Sequence, residues 1–345
     1  MTPDTDLLII GGGPVGLAAA IEGRLAGLSV IVVEPRATPV DKACGEGLMP
    51  GAVAALTRLG VHPAGHTLTG IRYLRGTHTA DHLFATAPGL GVRRTVLHAA
   101  LSRRAVELGA LIVTGRAGMV EQDETSVRAA GISGRWLLAC DGLHSAVRRQ
   151  VGLAVHRRTA GRRFGVRRHF RATPWTDLVE VHWGRSVEAY VTPVAEDVVG
   201  VALLGPARHD YGQTLDAFVA LRRHLGDAEP LDPVRGAGPL LQQTVRRTAG
   251  RVRLVGDASG YVDALTGEGV RVGLAQARAA VGTLGDDVPR SNAAYEKAWT
   301  AATRDYRVLT TGLVAAAGSP LRRGIVPLAV RAPGLYGAVV ERLAR

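Results

Sequence analysis

Residues 6–16, DLLIIGGGPVG, decide the fold of this 345-residue chain. The apolar run at the start of the stretch predicts a strand buried on both faces of a parallel sheet. Three glycines follow in GxGxxG spacing, Gly11, Gly13 and Gly16. The first permits a tight turn, the second lets the backbone approach a pyrophosphate, and the third allows close packing of a helix on the strand. Residues 17–27, LAAAIEGRLAG, have the spacing of that helix.

A second buried strand, SVIVVE, ends in Glu34, 18 residues beyond Gly16. An acid at this place is typical of dinucleotide-binding βαβ units, where it accepts hydrogen bonds from the ribose hydroxyls of adenosine. The helix N-terminus would supply amide donors to the phosphates. Besides the glycines, we expect the dinucleotide to contact Pro14, Val15, Glu34 and Arg36. This unit alone does not distinguish FAD from NAD.

The middle of the chain changes to strands with period-two alternation, which is typical of an antiparallel sheet. They read RFGVRRHF, DLVEVHWG, VEAYVTPV and DVVGVALL, between residues 163 and 204. Strands of the parallel type lie on both sides of them, so the predicted nucleotide domain is discontinuous. The predicted fold class is α/β, with a Rossmann-like dinucleotide domain (1–69, 90–160 and 245–300), an inserted antiparallel-sheet substrate domain (70–89 and 161–244) and C-terminal helices (301–345).

Two later segments carry a resemblance to a known family. LLACDGLHSAVRR at 137–149 resembles the Asp-Gly motif of the para-hydroxybenzoate hydroxylase superfamily of flavoproteins, and RVRLVGDASGYVDALTGEGVRVGLAQA at 251–277 resembles its Gly-Asp motif. With the Gly-rich loop, three motifs occur in the family's order over most of the chain. The resemblance implies non-covalent FAD, NADPH or NADH as a transient reductant, and no separate nicotinamide domain.

The motifs give further candidate contacts with FAD. Asp257 follows a buried strand and is placed to accept a hydrogen bond from a ribityl hydroxyl. Amides at the start of the next helix would face the flavin ring, where a positive helix end favours the reduced cofactor; the residues there are Gly267, Gly269 and Val270. Asp141 is either a cofactor contact or a structural turn. Arg94 heads an RxxLxxxL helix, where many relatives place a cofactor contact, although an arginine without a ligand is the alternative.

The loop KACGEGLMP at 42–50 is the most distinctive stretch. It resembles the CGxGL(M/T)P loop of the geranylgeranyl reductase branch and of actinobacterial flavin hydroxylases, which lies near the isoalloxazine in such relatives. TGEG at 266–269 resembles the corresponding segment of the same branch. No obligatory catalytic side chain is identifiable, and the candidates are Cys44, Glu46 and Tyr190. Cys44 is either a tuned thiol or a small residue in a loop that shapes the cofactor site.

Reductases of this branch carry an aromatic-rich segment ending in Phe-Pro in the substrate domain. The matching strand here reads EAYVTP at 188–193 and keeps only Tyr190 and Pro193, which argues against a long prenyl tunnel. Alternation along the strands predicts a pocket above the flavin, and every candidate for it is also compatible with an ordinary sheet position. The candidates are His169, Glu180, His182, Tyr190 and Thr192.

The leading hypothesis is an FAD-dependent monooxygenase that uses NAD(P)H and O₂ to hydroxylate or epoxidise an aromatic or polyketide-like small molecule, as in secondary metabolism. The alternative is an FAD-dependent reductase or dehydrogenase of an isoprenoid or other lipid-like substrate. A flavin carrier without catalysis is a third hypothesis. The separate substrate sheet argues against the carrier, because a carrier needs none.

The formal charge is +12, and nearly all cations are arginines. This charge indicates either attraction of anionic ligands or membrane lipids, or only a solvated surface. The absence of a Lys/Arg block and an aromatic content of 4% argue against nucleic acid. Cys44 and Cys140 have no disulfide or metal spacing, so we expect a cytoplasmic enzyme without metal.

No apolar run approaches the roughly 20 residues of a membrane span, so no integral segment is expected. The arginine-rich stretch 320–345 either docks on a membrane or packs on the FAD domain. We expect a monomer or weak homodimer.

Overall fold

The computed structural model describes residues 3–155, 163–207 and 210–345. Its strands are β1 (Thr5–Ile10), β2 (Val30–Glu34), β3 (Gly47–Leu48), β4 (His66–Leu68), β5 (Gly70–Arg75), β6 (His78–Leu83), β7 (Gly89–Gly91), β8 (Leu111–Thr114), β9 (Glu121–Gln122), β10 (Val127–Ala129), β11 (Ile132–Ala139), β12 (Arg163–Arg171), β13 (Leu178–Trp183), β14 (Glu188–Ala195), β15 (Val198–Pro206), β16 (Arg235–Ala237), β17 (Thr248–Ala249) and β18 (Val252–Leu254).

The helices are α1 (Pro14–Leu25), α2 (Pro50–Arg58), α3 (Arg94–Glu107), α4 (Ala146–Gln150), α5 (Tyr211–Asp216), α6 (Val219–Leu225), α7 (Gly269–Gly282), α8 (Val288–Ala317), α9 (Ile325–Arg331) and α10 (Pro333–Ala344). Two 3₁₀ turns lie at Gly256–Ser259 and Pro320–Gly324.

The first sheet has a parallel centre in the order β18-β11-β1-β2-β8. Its central strand β1 carries Leu7, Leu8 and Ile9, all without solvent exposure, because α1, α3 and α7 cover one face and smaller strands cover the other. Strands β17 and β10 extend it in antiparallel pairing. The predicted Rossmann-like parallel sheet is confirmed. Parallel order matters for the site, since it brings the carboxyl ends of five strands to one edge.

The second sheet has the order β16-β12-β15-β14-β13-β5-β6 and is antiparallel except where β13 pairs with β5. The hairpin β5–β6 comes from a segment of the chain between β2 and β8 of the first sheet, so the polypeptide passes between the two sheets more than once. One face packs on α5 and α6 through Tyr211, Leu215 and Leu221. The opposite face of the second sheet faces the first sheet. This confirms the inserted antiparallel sheet.

The C-terminal helices form a wall beside the second sheet. Helix α8 has 30 residues and runs across residue 300, where the sequence-based division places a boundary. Because α8 continues without a break through residue 300, we propose to move that division to Gly318, where α8 ends.

Arg322 connects the C-terminal helices to the second sheet. It donates hydrogen bonds to the carbonyl oxygens of Gly184 and Val187 and pairs with the buried carboxylate of Glu188. Within the described residues, no single helix has the length and hydropathy of a membrane span. Helix α8 and residues 320–331 together pass that test by length and composition, with a bend of 97° between them.

Candidate functional site

A cavity of about 1070 Å³ lies between the two sheets and the C-terminal helices. One half of it is formed by the loops that follow the parallel strands β1, β2, β8, β11 and β18. Ligands of doubly wound sheets bind at this edge, because the loops there diverge and leave a crevice. The lining residues from these loops include Gly11, Gly13, Glu34, Arg36, Gly115, Asp141 and Asp257.

The Gly-rich loop shows a different requirement at each glycine. Gly11 has φ +104°, and a Cβ there would lie 2.5 Å from the carbonyl oxygen of Cys140. A Cβ on Gly16 would lie 1.9 Å from the carbonyl oxygen of Gly11. A Cβ on Gly13 would meet only Nη2 of Arg94, at 3.7 Å. Gly11 and Gly16 are therefore needed by the fold itself, whereas Gly13 leaves open space on the cavity side. Pro14 and Val15 line the same space.

Glu34 at the end of β2 is almost fully buried and lines the cavity. Its Oε2 accepts a hydrogen bond from the Gly12 amide at 2.8 Å, and its Oε1 accepts from Arg36 Nε at 2.7 Å. Burial alone would raise the pKa of Glu34, but the Arg36 guanidinium and the Gly12 amide outweigh it and hold the pKa below its usual value. The cavity thus presents a carboxylate beside the Gly-rich turn.

Arg94 begins α3 and faces the Gly-rich loop. Its amide donates to Oε1 of Glu46 at 2.7 Å, while its guanidinium lines the cavity. The buried Nε of Arg94 has no hydrogen-bond partner among the described residues. The terminal Nη2 of Arg94 lies 3.7 Å from the position that a Cβ on Gly13 would take, so the end of the guanidinium faces the open space of the loop.

His98, which the sequence reasoning missed, supports the same loop. It lies four residues after Arg94, on the same face of α3, and is buried. Its Nε2 lies 2.8 Å from the carbonyl oxygen of Gly12. Burial lowers the pKa of His98, and the Gly12 carbonyl opposes this shift. In the sequence, only the spacing of this histidine from Arg94 could have indicated its role.

Asp141 has a structural role and also lines the cavity. Its Oδ2 accepts from the amides of Ala146 and Val147 at 2.8 and 3.2 Å, so it caps the start of α4. Its Oδ1 is buried without a partner in the part of the chain that the structure describes. Asp141 therefore makes the structural turn at the edge of the cavity.

At the carboxyl end of β18, Asp257 lies in a 3₁₀ turn and lines the cavity. The chain then passes Gly267, at φ +72°, and enters α7 at Gly269. Both glycines and Val270 line the cavity. The start of α7 therefore points its amides and its positive dipole end at this space.

Glu268 lies between those glycines and is 2% exposed. Its Oε2 pairs with Arg271, and its Oε1 has no partner within the described residues. Burial raises the pKa of Glu268 to about 7, against the opposing effect of Arg271. The residue before α7 is thus an acid whose pKa burial brings towards neutrality.

The CGEG loop closes the cavity between the two sheets. Cys44 is half-buried and lines the cavity, and its Sγ lies 3.4 Å from the Glu46 amide. Glu46 has φ +61° and is buried. Its Oε2 lies 2.6 Å from Nε2 of His169, and the carbonyl oxygen of Gly45 accepts from Thr192 at 2.8 Å. Both carboxylate oxygens of Glu46 are thus committed to protein contacts.

Tyr190 and Thr192 on β14 line the cavity, as predicted from the alternation. The hydroxyl of Tyr190 donates to the carbonyl oxygen of Leu265 at 2.7 Å, which ties the sheet to the loop before α7. Burial raises the pKa of Tyr190 well above its usual value, so it stays a neutral donor.

The pocket predictions for His169, His182 and Glu180 are wrong. On β13 it is Val179 and Val181 that line the cavity, so Glu180 and His182 face the other side, where Trp175 donates to Glu180. His169 lies behind Glu46, with its ring nitrogens 2.6 Å from carboxylate oxygens of Glu46 and Asp232. On β13 the alternation separates two sets of residues but does not say which set faces the cavity.

The other half of the cavity is apolar. On the sheet side its lining includes Tyr73, Val179, Val181, Leu204 and Leu240. On the helix side it consists of Val308, Leu309, Gly312, Leu313, Ala316, Ile325, Leu328, Ala329, Ala332, Leu335, Tyr336, Val339, Val340 and Leu343. No charged residue lies among these described wall residues of α8–α10. Sequence reasoning missed this wall, because it depends on how α8–α10 pack.

The residues of the first half fit a dinucleotide. The open space at Gly13, the carboxylate of Glu34 and the guanidinium of Arg94 all lie along one continuous cavity that ends at α7. Together with the antiparallel sheet over the start of α7, they define a flavin-dependent oxidoreductase. The chain belongs to the FAD binding domain family, whose model matches residues 4–287. It is an FAD-dependent enzyme of the para-hydroxybenzoate hydroxylase and geranylgeranyl reductase superfamily.

Three curated relatives illustrate the range of this family. A menaquinone reductase of Mycolicibacterium smegmatis is 31% identical over 81% of this chain and 76% of its own length. A digeranylgeranylglycerophospholipid reductase of Methanothermobacter thermautotrophicus is 27% identical over 86% of this chain and 82% of its own length. A rifampicin monooxygenase of Streptomyces venezuelae is 32% identical over 43% of this chain and 34% of its own length.

Solved structures show the same fold. A geranylgeranyl bacteriochlorophyll reductase-like protein of Thermoplasma acidophilum has a TM-score of 0.81 at 19% identity, over 98% of this chain and 91% of that one. A p-nitrophenol 4-monooxygenase of Pseudomonas putida has a TM-score of 0.80 at 17% identity, over 100% and 97%. Reductases and oxygenases thus share the architecture.

Proposed function

We propose that this enzyme reduces a carbon–carbon double bond in an isoprenoid or other lipid-like substrate, with NADPH or NADH as the electron source. The observation that carries the proposal is the apolar wall that α8, α9 and α10 give to half of the cavity. Burial of an apolar chain is favourable by about 25 cal/mol per Å² of surface removed from water. A charged or strongly polar substrate would find no partner on that wall.

The strand at 188–193 counts against this proposal, because it keeps only Tyr190 and Pro193 of the aromatic-rich segment of the reductases. The apolar wall does not depend on that strand, since it comes from the C-terminal helices. The two reductases described above align with 81% and 86% of the chain. The aligned part of the rifampicin monooxygenase covers only 43% of the chain. The length of similarity therefore also supports reduction.

In this proposal the loops of the first half hold FAD. Glu34 accepts from the adenosine ribose, with Arg36 keeping it ionised. The backbone of Gly11–Val15 and the guanidinium of Arg94 contact the diphosphate. Asp257 accepts from the ribityl chain, and Asp141 contacts the cofactor on the facing side. Amides of Gly267, Gly269 and Val270 face the flavin ring, which lies between α7 and the CGEG loop.

FAD supplies hydride transfer when bound, and the chain supplies position, a dry space and a proton. Tyr190 and Thr192 hold the flavin-side loops in place through Leu265 and Gly45. The candidate proton donor is Cys44, because its thiol lines the cavity while both carboxylate oxygens of Glu46 are committed to protein contacts. The apolar wall orients the substrate chain and excludes water.

The second candidate is the monooxygenase predicted first from the sequence, acting on an aromatic or polyketide-like molecule. It is supported by the rifampicin monooxygenase relative and by the loss of the aromatic segment at 188–193. The same cavity would then place an apolar aromatic substrate over the flavin, and O₂ would be the co-substrate.

Turnover measured first without oxygen and then in air separates the two candidates. The purified yellow protein is given NADPH or NADH with detergent-dispersed menaquinone as the alkene probe. The product mass is measured after re-oxidation of the ring to the quinone, so that reduction of the ring itself is not counted. Reduction predicts oxygen-independent nicotinamide oxidation and a product heavier by two hydrogens. Substrate-stimulated oxygen uptake with a product heavier by one oxygen would overturn it in favour of the second candidate. No flavin reduction by either nicotinamide would contradict both.

A further inference from the structure

The apolar wall reaches the surface at a rim made by three helices. Val308 of α8, Leu328 of α9 and Leu335 of α10 line the cavity and are nevertheless 65%, 55% and 58% exposed. A residue that lines a cavity and is also mostly exposed lies at its mouth. Single exposed apolar residues are ordinary, but three around one opening form a patch that marks an interaction site.

The segments around this rim also expose apolar side chains. Leu321, 71% exposed, lies in the 3₁₀ turn before α9, and Val330 is an exposed residue of α9. Neither lines the cavity, so neither is explained by the substrate site. Their exposure to water is unfavourable unless another apolar medium covers them.

The charge around the rim is positive. Residues 301–345 contain seven arginines and only two acids, Asp305 and Glu341. Each acid is already paired, with Arg342 and His82 respectively. Arg323 and Arg331 are exposed beside the apolar residues.

Neither Arg323 nor Arg331 has an ion-pair partner in the described parts of the chain. Arginines around an apolar patch fit a surface that is negative outside and apolar inside, which is the chemistry of an anionic phospholipid bilayer.

We propose that the C-terminal face, defined by Val308, Leu321, Arg323, Leu328, Val330, Arg331 and Leu335, docks on an anionic phospholipid bilayer, with the mouth of the cavity against the lipid. Helices α9 and α10 lie in the interface without crossing it. Docking itself needs no turnover. The further step, entry of a lipid-like substrate through the mouth, rests on the function proposed above.

Vesicle flotation without substrate tests docking alone. The FAD-loaded protein is mixed with phosphatidylcholine vesicles that contain either roughly 30% phosphatidylglycerol or none. The first set has a negative surface potential like that of an anionic membrane, and the second set has none. We expect flotation with the anionic vesicles only, and its loss in high salt. Absence of flotation at low salt would overturn the proposal, whatever the reaction turns out to be.

Two variants of equal net charge make the test specific. The double variant Arg323→Glu/Arg331→Glu alters the proposed face outside the cavity lining, and Arg223→Glu/Arg246→Glu makes the same charge change at exposed sites elsewhere. Each basic residue near an anionic membrane contributes about 1 kcal/mol, so the first variant should bind at least ~10-fold more weakly. The second should bind far more strongly than the first. Equal loss in both would show general charge attraction and overturn the proposal.

Substitution of Leu321 by Ser tests the apolar part, with Leu111→Ser as the control, since Leu111 is 62% exposed at the edge of the first sheet. We expect only Leu321→Ser to weaken flotation. Light scattering tests the competing occupant, a second copy of the chain. A dimer that Leu321→Ser dissociates, with flotation unchanged, would overturn the bilayer in favour of self-association.

Discussion

Oε2 of Glu46 lies 2.6 Å from Nε2 of His169, and both side chains are about 1% exposed. The contact joins the CGEG loop to strand β12 of the second sheet. The other oxygen of Glu46 accepts from the amide of Arg94, at the start of the helix that faces the Gly-rich loop. One carboxylate therefore connects the substrate sheet, the loop proposed to lie by the flavin and the helix proposed to hold the diphosphate.

Replacement of Glu46 by Ala should destabilise the protein by about 3–5 kcal/mol, because it leaves the buried guanidinium of Arg167, 3.8 Å away, and the buried ring of His169 without a partner. It should also weaken FAD binding, since the Arg94 amide loses its acceptor. Urea unfolding of the apoprotein and FAD titration measure the two effects. The control is Glu121→Ala on the exposed strand β9. An unfolding free energy equal to that of the control would contradict the role assigned to Glu46.

Substitution of two glycines that precede helices distinguishes an effect on FAD binding from an effect on folding. Gly13 before α1 has φ −69° and Gly324 before α9 has φ −91°, and an added Cβ meets no protein atom closer than 3.7 Å at either position. Both Gly→Ala variants should keep the unfolding free energy within about 1 kcal/mol. Only Gly13→Ala should lose FAD affinity, by at least ~10-fold or about 1.4 kcal/mol.

Calorimetric titration of the two apoproteins with FAD gives the comparison. Equal affinity for both variants would show that the diphosphate does not approach Gly13, and the proposed orientation of FAD would then be wrong.

The sequence predicted the first half of the site because each of its motifs is local. The spacing of Gly11, Gly13 and Gly16 alone implies a turn and a helix start. Glu34 ends a strand and Asp257 follows one, and the positions of both strands follow from the parallel order. All of these residues line the cavity except Gly16, which packs against the Gly11 carbonyl instead.

The second half could not be predicted in the same way. A period of two along β13 separates Glu180 and His182 from Val179 and Val181, but either set satisfies the pattern until the partner layers are known. The helices α5 and α6 lie on one face of the sheet and the C-terminal wall beside the other, so tertiary packing decided the outcome. The wall itself comes from a segment more than 100 residues downstream.

Replacement of Cys44 by Ala tests the proposed proton donor. A positioned acid contributes typically 10²–10⁴-fold to a proton-transfer step, so turnover of the alkene should fall by ~10²-fold or more. Reduction of the flavin by NADPH precedes that step and should keep its rate in stopped-flow measurements. Cys44→Ser, which retains a hydroxyl donor, should lose less. Full turnover in Cys44→Ala would show that another group or solvent delivers the proton.

Glu268 should make stability depend on pH in a direction opposite to that of most acids. Burial raises its pKa from 4.5 to about 7 in the folded chain. Between these two values the folded state holds a proton that the unfolded state has lost, so stability falls as pH rises through this window. The change amounts to about 3 kcal/mol between pH 4.5 and pH 7.

Replacement of Glu268 by Gln isolates that contribution, because Gln keeps the shape and cannot ionise. The difference in unfolding free energy, wild type minus Glu268→Gln, should decline by that amount from pH 4.5 to pH 7 and level off above it. Urea unfolding of both apoproteins at half-unit steps of pH provides the measurement. Parallel curves would mean that the Arg271 pair compensates for burial and that Glu268 is ionised beside the start of α7 throughout this range.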